Sequence, residues 1–132
     1  MALVLNEEQV MLKDAAAGFL AEKATVEHLR ALRDSNDENG YDTAVWQEMA
    51  EMGWAGIAIP EEFGGLGYGY TGLGLVLEQA GRNLSASPLQ SSVLTGATAV
   101  AEMGSAAQKE TLLAAIAGGE CVVSLALQEG PH

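Results

Sequence analysis

The sequence has one cysteine, Cys121, and two histidines, His28 and His132, in 132 residues. A single cysteine excludes an intrachain disulfide and a cysteine-based zinc site. With only two histidines, the chain does not favour a histidine-centred catalytic triad or metal cluster. Aromatic residues make up only 5 % of the chain. The core must therefore be built from Ala, Leu, Val, Ile and Met, which suits closely packed helices.

Basic residues are also scarce, since six Lys and Arg stand against eighteen Asp and Glu and give a net charge of -12. This balance excludes nucleic acid and anionic membrane surfaces as partners. No stretch reaches the roughly 18 apolar residues that a membrane span needs. The N-terminus shows neither a signal-peptide nor a transit-peptide pattern. We therefore expect a cytoplasmic chain with no membrane span and, at 48 % hydrophobic residues, one folded core.

Apolar residues recur at helical spacing in six segments of the chain. The predicted helices run from Asn6 to about Glu22, Thr25 to Arg33, Asp42 to Gly53, about Tyr70 to Arg82, Ser87 to Gly104 and Ser105 to Gly118. Ser87 is expected as the N-cap of the fifth helix, with Pro88 at its first position. Ser105 and Gln108 predict a capping box for the sixth. The predicted fold class is all-α.

Four glycines between Gly64 and Gly69 exclude a helix or a good strand interior. Two interpretations are open, a cradle for phosphate and a tight structural loop. Neither the P-loop nor the dinucleotide-binding spacing is present. The spacing alone therefore favours the structural loop.

The segment Cys121–Leu127 is apolar, short and partly β-branched, which predicts a strand. The six helices offer it no partner strand. Such a segment can fray, fold back on the helices or pair with a second copy of the chain. We expect it to be mobile or to pair with a second copy. We expect the chain to be the front piece of a longer protein.

Several sequence motifs together resemble the N-terminal helical domain of acyl-CoA dehydrogenases. They are Trp46-Gln-Glu-Met-Ala-Glu-Met-Gly-Trp54, Ile59-Pro-Glu-Glu-Phe-Gly-Gly-Leu-Gly67, Leu77-Glu-Gln-Ala-Gly-Arg82, Gln108-Lys109 and Gly119-Glu120. The resemblance covers essentially the whole chain. It implies an N-terminal helical domain over residues 1–119, and over 120–132 the first strand of a middle β-barrel domain.

The resemblance also implies an activity. Members of this family oxidise acyl-CoA thioesters to 2-enoyl-CoA: a glutamate base removes the α-proton and FAD takes the β-hydride. The base and most of the FAD site belong to the other two domains. We therefore expect no catalytic residue, no activity and no stably bound FAD in this chain alone. The expected partners are an acyl-CoA substrate, the remaining domains or a partner subunit in a homo- or hetero-oligomer, and an electron-transfer partner. The alternative is a non-catalytic subunit or assembly module of a heteromeric acyl-CoA dehydrogenase.

The resemblance assigns site residues by their place in the motifs. Leu127 and Gln128 are expected at the flavin edge. The expected acyl-pocket residues are Ser87, Pro88, Ser91 and Thr95. All four are small, which leaves room for a wide acyl group, although ordinary tight helix packing explains small residues equally well. Gln128 and Gly130 depart from the family's usual Thr and Pro, as in dehydrogenases that act on steroid or other bulky CoA esters.

Overall fold

The computed structural model describes residues 4–127 and residue 130, and these residues form six helices, as predicted. The helices are α1 (Glu7–Lys23), α2 (Val26–Asp34), α3 (Thr43–Glu51), α4 (Gly69–Asn83), α5 (Leu89–Gly96 and Ala97–Met103) and α6 (Ala106–Gln108, Lys109–Leu113 and Ala114–Ala117). Short 3₁₀ turns lie at Trp54–Gly56 and Glu61–Phe63. None of the described helices is long and apolar enough to cross a membrane.

Side-chain caps begin α1, α2, α3 and α6 at the residues where the predicted helices start. The Oδ1 atom of Asn6 accepts a hydrogen bond from the Gln9 N–H at 2.8 Å, and the Gln9 side chain accepts one from the Asn6 N–H at 3.1 Å. Ser105 and Gln108 form the capping box predicted for the sixth helix. Each box satisfies two backbone donors that the first helical turn leaves unpaired. These local sequence signals therefore fix the starts of α1 and α6.

The start of α5 differs from the prediction. The helix begins at Leu89, so Pro88 takes the N-cap position that was expected for Ser87. Leu89–Gly96 is π-helical, with one more residue per hydrogen-bonded turn than an α-helix. The Thr95 hydroxyl donates to the carbonyl of Ser91 at 2.7 Å. Hydroxyls that donate to the carbonyl four residues earlier can distort a helix. The spacing of apolar residues does not reveal this distortion.

Two clusters of buried side chains hold the helices together. The larger joins α1, α3, α4 and the start of α5 and includes Leu20, Met49 and Val93. Within it the rings of Phe19 and Trp54 meet edge to face at 5.4 Å. The smaller lies between α5 and α6 and contains Ile59, Ala97, Leu113, Ile116 and Ala117. The second cluster supports the part of α5 that faces the end of the chain.

The glycine-rich segment is a structural loop fastened by its backbone. The N–H groups of Leu66 and Gly67 donate to the carbonyls of Gly56 and Ile59, each at 2.9 Å. A Cβ atom on Gly65 would lie 2.0 Å from the Ile59 carbonyl oxygen. The loop therefore closes so tightly that only glycine fits at this position. The loop ends where α4 begins, and Tyr70 lies in the first turn of that helix.

Residues 121–127 form neither a helix nor a strand, so the predicted strand is absent from the described part of the chain. A strand needs a neighbouring strand to pair its backbone groups, and the described residues supply only helices and turns. The segment folds back on the helices, whereas a mobile segment or one paired with a second copy was expected. The Val123 N–H donates to Ser92 Oγ of α5 at 3.1 Å.

Candidate functional site

The expected acyl-pocket residues lie at the start of α5 but differ in exposure. Pro88 is buried, Ser87 is half-buried, and Ser91 and Thr95 are exposed. The Ser91 hydroxyl donates to the Pro88 carbonyl at 3.3 Å, and the Thr95 hydroxyl donates to Ser91 O. Both hydroxyl protons are thus used within the helix. What these side chains present outward is chiefly their hydrocarbon.

An apolar groove of about 640 Å³ runs along α5 beside the end of the chain. Its walls include Tyr70, Leu94, Thr95, Ala99, Met103 and Leu125. The Tyr70 hydroxyl lies 2.9 Å from Thr98 Oγ1. Because the Thr98 hydroxyl itself donates to the Leu94 carbonyl, Tyr70 is the donor in this pair. The groove volume falls in the range of about 300–1,000 Å³ that small-molecule sites occupy.

The structure brings only some of the expected residues together. Thr95 lines the apolar groove, and so does Leu125, which stands two positions before the expected flavin contact Leu127. Ser87 lines a different cleft, of about 320 Å³, between α4 and α5. Leu94 borders both cavities. The two openings therefore lie on either side of one α5 side chain.

The expected flavin contacts are partly within the described residues. The side chain of Leu127 is 73 % exposed, and Gln128 lies outside the described residues. An uncovered apolar side chain suits contact with the edge of a planar ring. The described part of this segment fits FAD as an apolar wall and does not by itself supply a polar site for the ring.

The contact between α5 and residues 121–127 was not foreseen from the sequence. Ser92 is fully buried, and its Oγ accepts the Val123 N–H. A Cβ atom on Gly96 would lie 2.9 Å from the Val123 carbonyl oxygen. The available signal was two small residues four apart on one helix, which share one helix face and leave room for a close neighbour. Their partner, however, lies 31 positions beyond Ser92 in the chain, and helical periodicity cannot find it.

Charged groups of the described residues form surface pairs. The guanidinium of Arg82 lies 2.8 Å from the carboxylate of Glu78, one helical turn away in α4. Lys13 of α1 approaches the other oxygen of Glu78 at 3.8 Å. The two ion pairs of Glu78 therefore tie α1 to α4.

Among residues 4–127 and 130, no group of three His, Cys, Asp or Glu could hold a metal ion.

Comparison with known proteins gives a consistent result. Residues 6–120 match the family described as acyl-CoA dehydrogenase, N-terminal domain. The chain is 35 % identical over 109 residues to acyl-CoA dehydrogenase IpdE2 of Mycobacterium tuberculosis, covering 82 % of this chain and 34 % of that protein. It thus spans about a third of the length of such curated relatives.

Two solved structures have the same fold. The ChsE4-ChsE5 complex from Mycobacterium tuberculosis matches with a TM-score of 0.81 and 27 % identity, over 94 % of this chain and 34 % of that one. A variant of the steroid ACAD Tcur3481-Tcur3483 matches with a TM-score of 0.75 and 35 % identity, over 86 % of this chain and 30 % of that one. The helical arrangement described above is therefore shared with both.

Proposed function

This chain belongs to the acyl-CoA dehydrogenase family, a family of oxidoreductases, as an N-terminal domain, and on that premise we propose that it is part of an FAD-dependent enzyme converting an acyl-CoA thioester to 2-enoyl-CoA. Its part is to form one wall of the acyl site and the adjoining edge of the flavin site. The base that removes the α-proton comes from residues outside this chain. The chain alone is accordingly proposed to be inactive.

One observation carries this proposal: Thr95 and Leu125 line the same groove. The reaction removes hydrogen from two neighbouring carbons of the acyl group. The acyl chain must therefore lie beside the flavin. The groove brings the expected acyl-pocket helix next to the segment that leads to the expected flavin contact Leu127.

The residues of this chain act by shape and by excluding water. Because the hydroxyls of Ser91 and Thr95 are satisfied within α5, they do not compete for polar groups of a substrate. The side chains of Leu94, Ala99 and Leu125 offer an apolar surface to an acyl chain. When bound, FAD supplies the hydride acceptor. Held against this wall, the acyl carbons keep a fixed position relative to that acceptor.

We infer a wide acyl group as the substrate class. The groove side of α5 carries small side chains at Thr95, Thr98 and Ala99. One matched structure is described as a steroid ACAD, which is consistent with a broad ring system in that protein. Widening a pocket by small side chains adds apolar contact for a bulky ligand and loses contact for a thin one.

The experiment that tests this function uses the enzyme assembled from this chain and the polypeptide that completes it. We expect bound FAD, and we expect anaerobic addition of acyl-CoA to bleach the flavin band while 2-enoyl-CoA appears by mass spectrometry. Thr95→Phe should lower kcat/KM for a polycyclic acyl-CoA at least tenfold more than for butyryl-CoA. Thr111→Phe, at an exposed position of α6, is the matched control. An assembly that binds no FAD, or never bleaches, contradicts the proposal.

A second candidate is a non-catalytic subunit or assembly module of a heteromeric dehydrogenase. It is favoured by the two matched structures, whose descriptions each name a pair of proteins. In that case the assembly binds acyl-CoA and FAD through its other subunit only. Thr95→Phe would then leave kcat/KM unchanged for every acyl-CoA. The cytoplasmic location, the electron-transfer partner and the boundary between residues 119 and 120 stay predictions.

A further inference from the structure

We propose that Ser92 and Gly96 are positioning residues, which set the register in which residues 121–127 cross α5 and thereby select the side chain presented to the flavin edge. This inference rests on the proposed function, because Leu127 has a role in the reaction only if FAD lies beside it.

Ser92 holds the crossing segment through its hydroxyl oxygen. The residue is fully buried, and its Oγ accepts the backbone N–H of Val123 at 3.1 Å. In a sheet that N–H would bond to a neighbouring strand. Here a helix side chain takes that place. Removing this acceptor leaves the half-buried donor of Val123 unpaired, which costs more than the net value of an ordinary hydrogen bond.

Gly96 allows the carbonyl group of Val123 to lie close against α5. A Cβ atom at Gly96 would lie 2.9 Å from the carbonyl oxygen of Val123 and 3.1 Å from its Cβ. The first distance is too short for backbone oxygen, so a side chain at this position would displace the segment. Ser92 and Gly96 are four residues apart and share one face of α5. Together they constrain both the N–H and the C=O of Val123.

The register matters because exposure alternates over the first four residues of the segment, which precede the three exposed residues 125–127. Cys121 and Val123 are half-buried against the smaller core cluster, whereas Val122 and Ser124 are exposed. Alternation of this kind is the period of an extended chain. A shift of one residue would reverse the face of every later side chain. Fixing Val123 is therefore what turns Leu125 toward the groove, two positions before Leu127.

The first experiment measures amide hydrogen exchange in the full chain. Ser92→Ala and Gly96→Ala should each speed exchange in peptides covering 121–127 by about fivefold or more, the effect of losing one hydrogen bond. Exchange in α1 and α4 should not change, which separates local release from global unfolding. The matched controls are Thr111→Ala, at an exposed hydroxyl, and Gly74→Ala, where an added Cβ meets nothing within 4 Å. If both variants exchange like the wild type, the proposal is overturned.

The second experiment records the flavin absorbance and fluorescence of the assembled enzyme. Gly96→Ala should shift the flavin spectrum and lower kcat with little change in KM, whereas Gly74→Ala should leave all of these unchanged. Faster exchange with an unaltered flavin spectrum overturns the positioning role. A wild-type assembly that lacks a flavin band overturns this role together with the proposed function. The two failures are distinguishable because only the second appears without any substitution.

Discussion

Replacing Asp42 measures how much of the stability of α3 comes from a side-chain cap rather than from packing. Oδ1 of Asp42 accepts hydrogen bonds from the N–H groups of Ala44 at 2.8 Å and Val45 at 3.2 Å. Its other oxygen, Oδ2, lies 3.2 Å from Nε2 of His28. Two otherwise unpaired donors of the first turn are thus satisfied, and α2 is tied to the start of α3.

The cap sets the expected magnitudes. Asp42→Ala removes both backbone bonds and should lower the free energy of unfolding by about 1–2 kcal/mol. Asp42→Asn keeps an acceptor oxygen and should cost only a few tenths of a kcal/mol, because asparagine caps about as well as aspartate. The ion-pair contribution is small because the Asp42 side chain is 36 % exposed and water screens it. Urea unfolding at neutral pH gives both values.

The pH dependence adds an independent check. The hydrogen bond from Val45, then those from Ala44 and the nearby His28 side chain, lower the pKa of Asp42 below its ordinary 3.8, against the opposing effect of partial burial. A carboxylate with a lowered folded-state pKa stabilises the protein above the unfolded pKa, and this stabilisation is lost as pH falls through the folded value. The gap between wild type and Asp42→Asn should therefore close across that acidic window.

Two results would refute this reasoning. One is an Asp42→Asn variant as destabilised as Asp42→Ala, which would mean that charge and not cap geometry dominates. The other is an Asp42→Ala variant as stable as the wild type. Asp14→Ala, at an exposed position in α1, controls for the loss of a carboxylate and should change stability by less than about 0.5 kcal/mol.

Gly65→Ala should lower the free energy of unfolding by about 1–3 kcal/mol, because the new Cβ would lie 2.0 Å from the Ile59 carbonyl oxygen. Gly74→Ala, where nothing lies within 4 Å, should instead raise it by up to about 1 kcal/mol, and equal effects in urea unfolding would contradict the loop geometry. Trp46→Phe removes the bond from Nε1 to the Gly119 carbonyl at 3.1 Å and should cost about 1 kcal/mol. An unchanged Tm for Trp46→Phe would show that this bond contributes nothing.

Local signals in the sequence were sufficient to predict six helices and the side-chain caps that begin four of them. Asn6 with Gln9 and Ser105 with Gln108 lie within one turn of each other, so their spacing alone predicts the capping boxes that form. Gly53 follows α3 in the left-handed conformation, with φ of 80°, as a helix-ending glycine should. Such features involve residues close in the chain, and elementary propensities describe them well.

The end of the chain needed information that spacing does not contain. Residues 121–127 read as a strand by composition, yet strand formation depends on a partner that the described residues do not provide. The segment instead packs on Ser92 and Gly96, whose small size could equally mean ordinary helix packing. The π-helical turns Leu89–Gly96 and Lys109–Leu113 were also missed, because one extra residue per turn leaves the apolar pattern almost unaltered. The site therefore became visible only through contacts between distant parts of the chain.

The two glycine-containing loops differ in whether the polypeptide can be cut there and rejoined. Residues 35–40 are all exposed, so a peptide tag inserted there, or new termini made by circular permutation, would interrupt few contacts. The glycine loop looks equally permissive by composition. Its backbone N–H groups, however, donate hydrogen bonds to the carbonyls of Gly56 and Ile59. A break in the loop would remove the constraint that holds the start of α4 in place. A version of the domain made from two separate fragments should therefore be divided within residues 35–40, which leaves the groove intact.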